Sequence, residues 1–202
     1  MNEPDTLLGA GRENLVDDAE ADAVTAGRGE DATRPWTLRP LQEGERPLLQ
    51  RLFELYLYDF SELEHADLDE EGWFVPSARD WLARYWSEPG RHALLLRVDD
   101  KPAGLALVDE SSPIAASGDR RFLGAFFVAR AYRRRGFGRE AACALFNRFP
   151  GRWQVLQIRQ NTAAQEFWRR VIGDYTGGRF EERWVSERDL VQEFDTRERA
   201  AP

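Results

Sequence analysis

Residues 121–140, RFLGAFFVARAYRRRGFGRE, decide how this chain is read. An apolar run from Phe122 to Val128 enters an arginine-rich turn, passes through Arg133-x-x-Gly136-x-Gly138, and leads into an amphipathic helix. A strand that feeds a glycine turn at a helix start aims several backbone N–H groups at one point, and the helix dipole favours an anion there. Glycine has no Cβ, so backbone at Gly136 and Gly138 can approach a phosphate closely. The segment therefore reads as a pyrophosphate cradle, with a tight strand–helix turn carrying a solvated arginine cluster as the bland alternative.

Spacing narrows the cradle. A P-loop needs Gly-x4-Gly-Lys-Ser/Thr, and neither lysine nor hydroxyl follows Gly138. Gly136-Phe137-Gly138-Arg139-Glu140-Ala141 matches the dinucleotide fingerprint with Ala in the last place. Its acidic partner, about 20 residues on, would fall at Gln157–Gln160, where no carboxylate stands.

Outward from this turn, 202 residues bound the chain to one domain plus tails, with enough length for a substantial core. Seven Trp and twelve Phe support a globular protein. No apolar run approaches 18 residues, so no membrane span is expected. The opening Met-Asn-Glu-Pro-Asp lacks a signal peptide's basic and apolar regions. With a single cysteine, Cys143, it suggests a reducing cytoplasm. Cys143 itself reads as a small apolar residue on a buried helix face. A net charge of −8 argues against general nucleic-acid binding. Residues 1–34 hold nine acids and three arginines, net −6, which leaves −8 − (−6) = −2 for the rest. Lys101 is the only lysine, and the arginine bias is attributed to a GC-rich, bacterial genome.

Residues 1–34 are acidic, Ala/Gly-rich and free of aromatics, which predicts a disordered or loosely helical extension. The domain spans 35–196, followed by a polar tail at 197–202. A first strand is expected at 37–40. A helix from Glu43 places Leu49, Leu52, Phe53 and Tyr56 on one face, and residues 57–75 form an acidic-aromatic connection. Ser77 caps a second helix with Trp81, Leu82, Tyr85 and Trp86 on its face. A hairpin occupies 91–109. The helix from Gly136 buries Ala142, Leu145, Phe146 and Phe149 and stops at Pro150-Gly151. A strand at 153–158 precedes a helix opened by Asn161, with Ala164, Phe167, Trp168 and Val171 inward. A strand at 180–185 follows Gly177-Gly178, and Leu190–Phe194 reads as a last, edge strand.

Two motifs about 25 residues apart, Arg133-x-x-Gly136-x-Gly138 and Asn161-x-x-Ala164-x-x-Phe167-Trp168, resemble the GNAT N-acetyltransferase superfamily over residues 36–195. The resemblance implies an α/β (α+β) fold. Its central sheet is mixed and mostly antiparallel, of six to seven strands with a splayed parallel pair, 121–128 and 153–158, flanked by about four helices. The pantetheine arm of acetyl-CoA would lie in the splay against backbone near Phe127 and Val128. Amides of Arg134, Arg135, Gly136, Phe137, Gly138 and Arg139 would hold the pyrophosphate behind Arg133. Asn161 would meet the pantetheine beside Phe167 and Trp168. No metal is implied. The partners are acetyl-CoA and an amine, for a monomer or homodimer without nucleic acid or membrane.

Amine acetylation needs a base to free the amine and a donor for the oxyanion, here a backbone N–H near Val128; an acid for the leaving thiolate is optional. The family's tyrosine position holds Trp168, whose indole is not an acid at neutral pH, so Tyr175 is the candidate substitute. For the base, Asp109 and Glu110 end the strand beside the expected acceptor. Tyr58, Asp59, Glu62, Glu64 and His65 form the acidic-aromatic stretch suited to a cationic amine, or else a wet helix end. The expected activity is acetyl transfer to a primary amine, against two rivals: an acyl-CoA-binding module without turnover and a nucleotide-binding module unrelated to CoA.

Overall fold

A computed structural model of the chain describes residues 25–28, 35–74, 78–114 and 120–198. Twelve regular elements follow one another: β1 (Thr25–Arg28), β2 (Pro35–Pro40), α1 (Arg46–Glu64), α2 (Ala78–Ser87), β3 (Arg91–Val98), β4 (Lys101–Asp109), β5 (Arg120–Val128), α3 (Phe137–Arg148), β6 (Arg152–Ile158), α4 (Thr162–Thr176), β7 (Glu181–Trp184) and β8 (Asp189–Asp195). The strands form one mixed sheet in the order β1-β2-β3-β4-β5-β6-β8-β7. Every neighbouring pair is antiparallel except β5–β6.

The expected architecture stands, with three differences. The sheet has eight strands because Thr25–Arg28 pairs with β2, inside the segment expected to be disordered. Residues 1–24 and 29–34, like Ser77 and 199–202, lie outside the described residues. Next, β8 is internal, between β6 and β7, so the short β7 is the edge. Finally, α1 continues through residues expected to be a connection and ends where His65 takes φ 51°. That left-handed cap closes its helix with an N–H to the Ser61 carbonyl.

Alternation along the central strands sends side chains to opposite faces. On one face, α1 and α2 bury Leu49, Leu52, Phe53, Leu82 and Tyr85 against Leu95, Leu105, Leu107, Ala125 and Phe127. On the other, α3 and α4 cover Leu94, Val108, Leu123, Val155 and Phe194. Phe146 centres that second core, with Phe194, Tyr175 and Trp153 rings 4.8, 5.2 and 5.3 Å away. Truncating so enclosed a ring costs about 3–5 kcal/mol. Cys143 is half-buried on α3 and packs against the same core.

Strands β4 and β5 approach unusually closely. A Cβ on Gly104 would stand 2.1 Å from the Phe127 carbonyl oxygen, so the ladder that holds β5 in place requires glycine there.

Candidate functional site

The parallel pairing of β5 with β6 covers only Arg120–Leu123 against Arg152–Val155. Beyond it β5 continues along β4 to Val128, and β6 continues along β8 to Ile158, so the two strands part. The Ala129 N–H bonds the Ala103 carbonyl on the β4 side. Strand alternation then turns Phe127 toward β4, and Phe126 and Val128 toward the gap. Likewise Thr196 to Gly151 and Arg159 to Arg188 bonds fix the β8 side, so Leu156 and Ile158 face the gap. The open strand groups are therefore those of Phe126 and the N–H of Val128, whose carbonyl is taken by Arg133, a correction to the expectation for Phe127. The Phe127 ring lies in the α1–α2 core.

The turn after β5 stores unusual backbone. Arg134 has φ 61° and Gly136 has φ 84°, ψ −25°. Left-handed residues spaced in this way at a helix start can gather N–H groups into a concavity. Gly136 is the N-cap of α3, and no side chain caps that helix. The first N–H groups of a helix have no intrahelical partner, so those of Phe137 and Gly138 are presented at the turn. The Phe137 ring is fully buried and anchors the turn from below.

Arg133 does a different job from the one its motif position suggests. Its Nε donates to the Val128 carbonyl at 2.6 Å, and its Nη2 donates to Asp59 on α1. Arg130 joins it, giving Asp59 bonds of 3.0 and 2.8 Å. Burial pulls the Asp59 carboxyl upward, but Arg133 and Arg130 together outweigh it and hold its pKa below the usual aspartate value. Expected to face substrate, Asp59 ties α1 to the turn before α3 through Arg130 and Arg133.

The mouth of the gap is aromatic. Phe126 stacks with Phe167 at 6.2 Å and meets Trp168 edge-on at 5.1 Å. A Cβ on Gly138 would lie 3.6 Å from Phe167 and 3.7 Å from Val128, closing α3 onto the same group. Trp168 is buried as a packing residue of the α3–α4 core, so only Phe167 of the pair borders the mouth. Asn161 is the N-cap of α4, its Oδ1 accepting from the Ala164 N–H at 3.1 Å. Sequence reading missed Gln165, whose Nε2 donates to the carbonyls of Ile158 and Arg159 and fixes the end of β6.

A polar cluster sits where the strands part. The register of β5 on β4 slips between Leu107 and Val108, leaving Gly124 as a bulge. A Cβ there would meet the Tyr85 hydroxyl at 2.8 Å and Asp109 Oδ2 at 3.6 Å. Asp109 is buried and accepts from Arg91 Nη1 at 2.9 Å. Burial is the strongest influence on its carboxyl and raises the pKa above the usual aspartate value, against the opposing charge of Arg91. Arg91 also lies 5.5 Å from the centre of the Tyr85 ring. The buried Tyr85 hydroxyl lies beside the Asp109 carboxylate and the Arg91 guanidinium but makes no well-formed hydrogen bond with either.

Glu110 projects the opposite way. It accepts from His92 Nε2 at 3.0 Å, and the His92 ring lies 4.8 Å from Phe149 on the α3 side. His92 is the first cause of its lowered pKa. Tyr175 donates to Asn147 Oδ1 at 2.8 Å within the α3–α4 core. At 1.5 Å per residue it stands about 21 Å along α4 from Asn161. Neither residue is at the gap. On α1, Tyr58 is exposed with its ring 5.9 Å from Arg130, Glu62 is exposed, and Glu64 pairs with Arg188. A cavity of about 390 Å³ lies at the far end of the β5–β6 pair among Arg120, Arg152 and Arg179, away from the gap.

Among the described residues, no cluster of three His, Cys, Asp or Glu is placed to hold a metal ion, and no helix is long and apolar enough to cross a membrane.

Comparison with known proteins agrees with this geometry. Residues 49–173 match the model of the Acetyltransferase (GNAT) family. A search of curated proteins matches none. Among solved structures, RimJ of Mycobacterium smegmatis in complex with CoA-disulfide is similar at TM-score 0.61 and 15% identity, over 88% of this chain and 89% of that one. The GNAT domain of S. lividans PAT follows at 0.57 and 16%, over 85% and 96%. yncA from Salmonella typhimurium with its cofactor acetyl-CoA gives 0.54 and 16%, over 83% and 97%. Strand order, the parting of β5 from β6, and the glycine turn at α3 now rest on one explanation: the chain belongs to the GNAT acetyltransferase family.

Proposed function

We propose that the protein is an acetyl-CoA-dependent N-acetyltransferase that transfers acetyl directly to a primary amine of a small molecule or a protein, within a ternary complex. The observation that carries this reading is the unpaired upper half of β5–β6 beside the uncapped start of α3. A pyrophosphate matches the N–H groups of the turn at 134–139, and a pantetheine arm carries amides that match Phe126 and the Val128 N–H. That run leads down the gap to the Gly124 bulge, where the thioester would lie. Asn161 has spent its Oδ1 on the helix cap and keeps its amide N–H groups for the arm.

The acceptor approaches from the α1–α2 face, past Tyr58 and Glu62. Asp109 serves as the base. It takes a proton from the ammonium, and the neutral nitrogen attacks the thioester carbon. A raised pKa suits it to that task near neutral pH. A group committed to two arginines, as Asp59 is, suits it poorly. The catalytic unit is the domain at 35–196, working as a cytoplasmic monomer or homodimer.

Thiol release from acetyl-CoA across a panel of primary amines tests the reading. Tight CoA binding with no release on any amine would instead favour an acyl-CoA-binding module. Trp168 is the observation behind that second reading, because a buried indole stands where the resemblance expects a tyrosine. A large gain in rate from Trp168→Tyr would support a decayed site.

A further inference from the structure

Tyr85 places a buried hydroxyl at the parting of the strands, beside Asp109 and Arg91 but without a well-formed hydrogen bond to either. Its ring is held from three sides: Trp81 at 5.2 Å, the Arg91 guanidinium at 5.5 Å, and the bulge at Gly124 beneath it. Leaving a buried O–H without an acceptor costs about 1–3 kcal/mol, so such a group needs an explanation. The residue below it has no side chain, and a Cβ there would collide with the phenol oxygen at 2.8 Å. The hydroxyl therefore overlies bare backbone at the point to which the open edge of β5 leads.

We propose that the Tyr85 hydroxyl is a catalytic hydrogen-bond donor to the thioester carbonyl oxygen, stabilising the oxyanion of the tetrahedral intermediate. The assignment rests on the reading above that acetyl-CoA fills the gap. Asp109 takes the ammonium proton. The amine nitrogen then forms the C–N bond, and the carbonyl π electrons move to oxygen, where the Tyr85 O–H meets them. When that pair returns, the C–S bond breaks and the sulfur leaves as thiolate. The second nitrogen proton passes to water, and the thiolate is protonated from solvent. Tyr85 keeps its proton throughout. Burial, helped by the Asp109 charge, raises its pKa and favours that neutral form.

Tyr85→Phe removes only the oxygen. With wild type and variant assayed on acetyl-CoA and a panel of a diamine, an arylalkylamine and a lysine-containing peptide, kcat falls about 10²–10³-fold, as for loss of one oxyanion donor. The KM for acetyl-CoA stays within about threefold, and the melting temperature changes little because the deleted group makes no well-formed hydrogen bond. A structural hydroxyl predicts unchanged kcat. Gly124→Ala reproduces the loss by displacing the phenol. Full activity in either folded variant overturns the assignment and leaves the acetyltransferase reading intact. A wild type that binds CoA but releases no thiol overturns both.

Discussion

Gly136→Ala puts a number on the strain in the cradle. At φ 84° and ψ −25°, position 136 lies outside the small left-handed well open to residues with a Cβ, whose ψ runs from about +30° to +60°. Forcing alanine into that conformation costs about 2 kcal/mol, within the 1–3 kcal/mol typical of such positions. No capping side chain offsets it. The cost has two destinations. If the turn keeps its shape without ligand, stability falls by the whole amount, about 4–8 °C for a chain of this size. If the free turn relaxes, stability is spared and CoA must restore the shape on binding, which weakens its affinity by about 30-fold. Intermediate outcomes divide the 2 kcal/mol, but the sum holds. Denaturant unfolding with and without CoA, together with calorimetric titration, measures both parts. If the combined loss stays under about 0.5 kcal/mol, Gly136 does not hold the strained shape on which the phosphate assignment depends.

Three further outcomes are expected. Gly104→Ala must move β4 and β5 apart by about 1 Å to relieve a 2.1 Å contact between backbone and Cβ, so it destabilises by several kcal/mol; normal thermal melting would contradict the close approach. Asp109→Asn lowers kcat about 10²–10⁴-fold, and the wild-type rate falls on acidification through a pKa above the usual aspartate range; a rate profile without that acidic limb would exclude Asp109 as the base. Glu45, held chiefly by hydrogen bonds from Arg39 at 2.8 and 2.7 Å, has its pKa lowered to about 2. Its contribution is therefore complete above the unfolded value near 4.3 and disappears as pH falls toward 2. Glu45→Gln should cost about 1 kcal/mol at pH 7 and only a small part of that at pH 2, judged by urea titration at both.

The cradle was legible because it is written in local backbone chemistry. Glycine at 136 and 138 and an apolar run before them fix a turn whatever the rest of the chain does. The parting of β5 from β6 followed from the resemblance, but the identity of the open groups did not. Phe126 and Phe127 differ only in which way alternation turns them, and that is set by register on β4. Asp59 looked like a substrate carboxylate because its partners, Arg130 and Arg133, lie more than 70 residues away. Asp109 and Glu110 are adjacent in sequence and point to opposite faces of the sheet. Tyr85 read as one more apolar position on a helix face; only the bulge beneath its hydroxyl gives it another meaning. Thr25–Arg28 carries neither β-branched alternation nor aromatics, so nothing before tertiary pairing marks it as a strand.

The short contact between β5 and β6 gives the sheet an unfinished seam. Up to Leu123 and Val155 the two strands are zipped; beyond, Phe126, the Val128 N–H and Leu156 present main-chain groups to the gap. On the proposed reading, an extended pantetheine arm laid there would act as an inserted ninth strand, and ligand capture and completion of the sheet would become one event. Amide hydrogens of Phe126, Val128 and Leu156 would then exchange quickly in the free protein and slow together on loading. The donor substrate would contribute to the fold as well as to the chemistry.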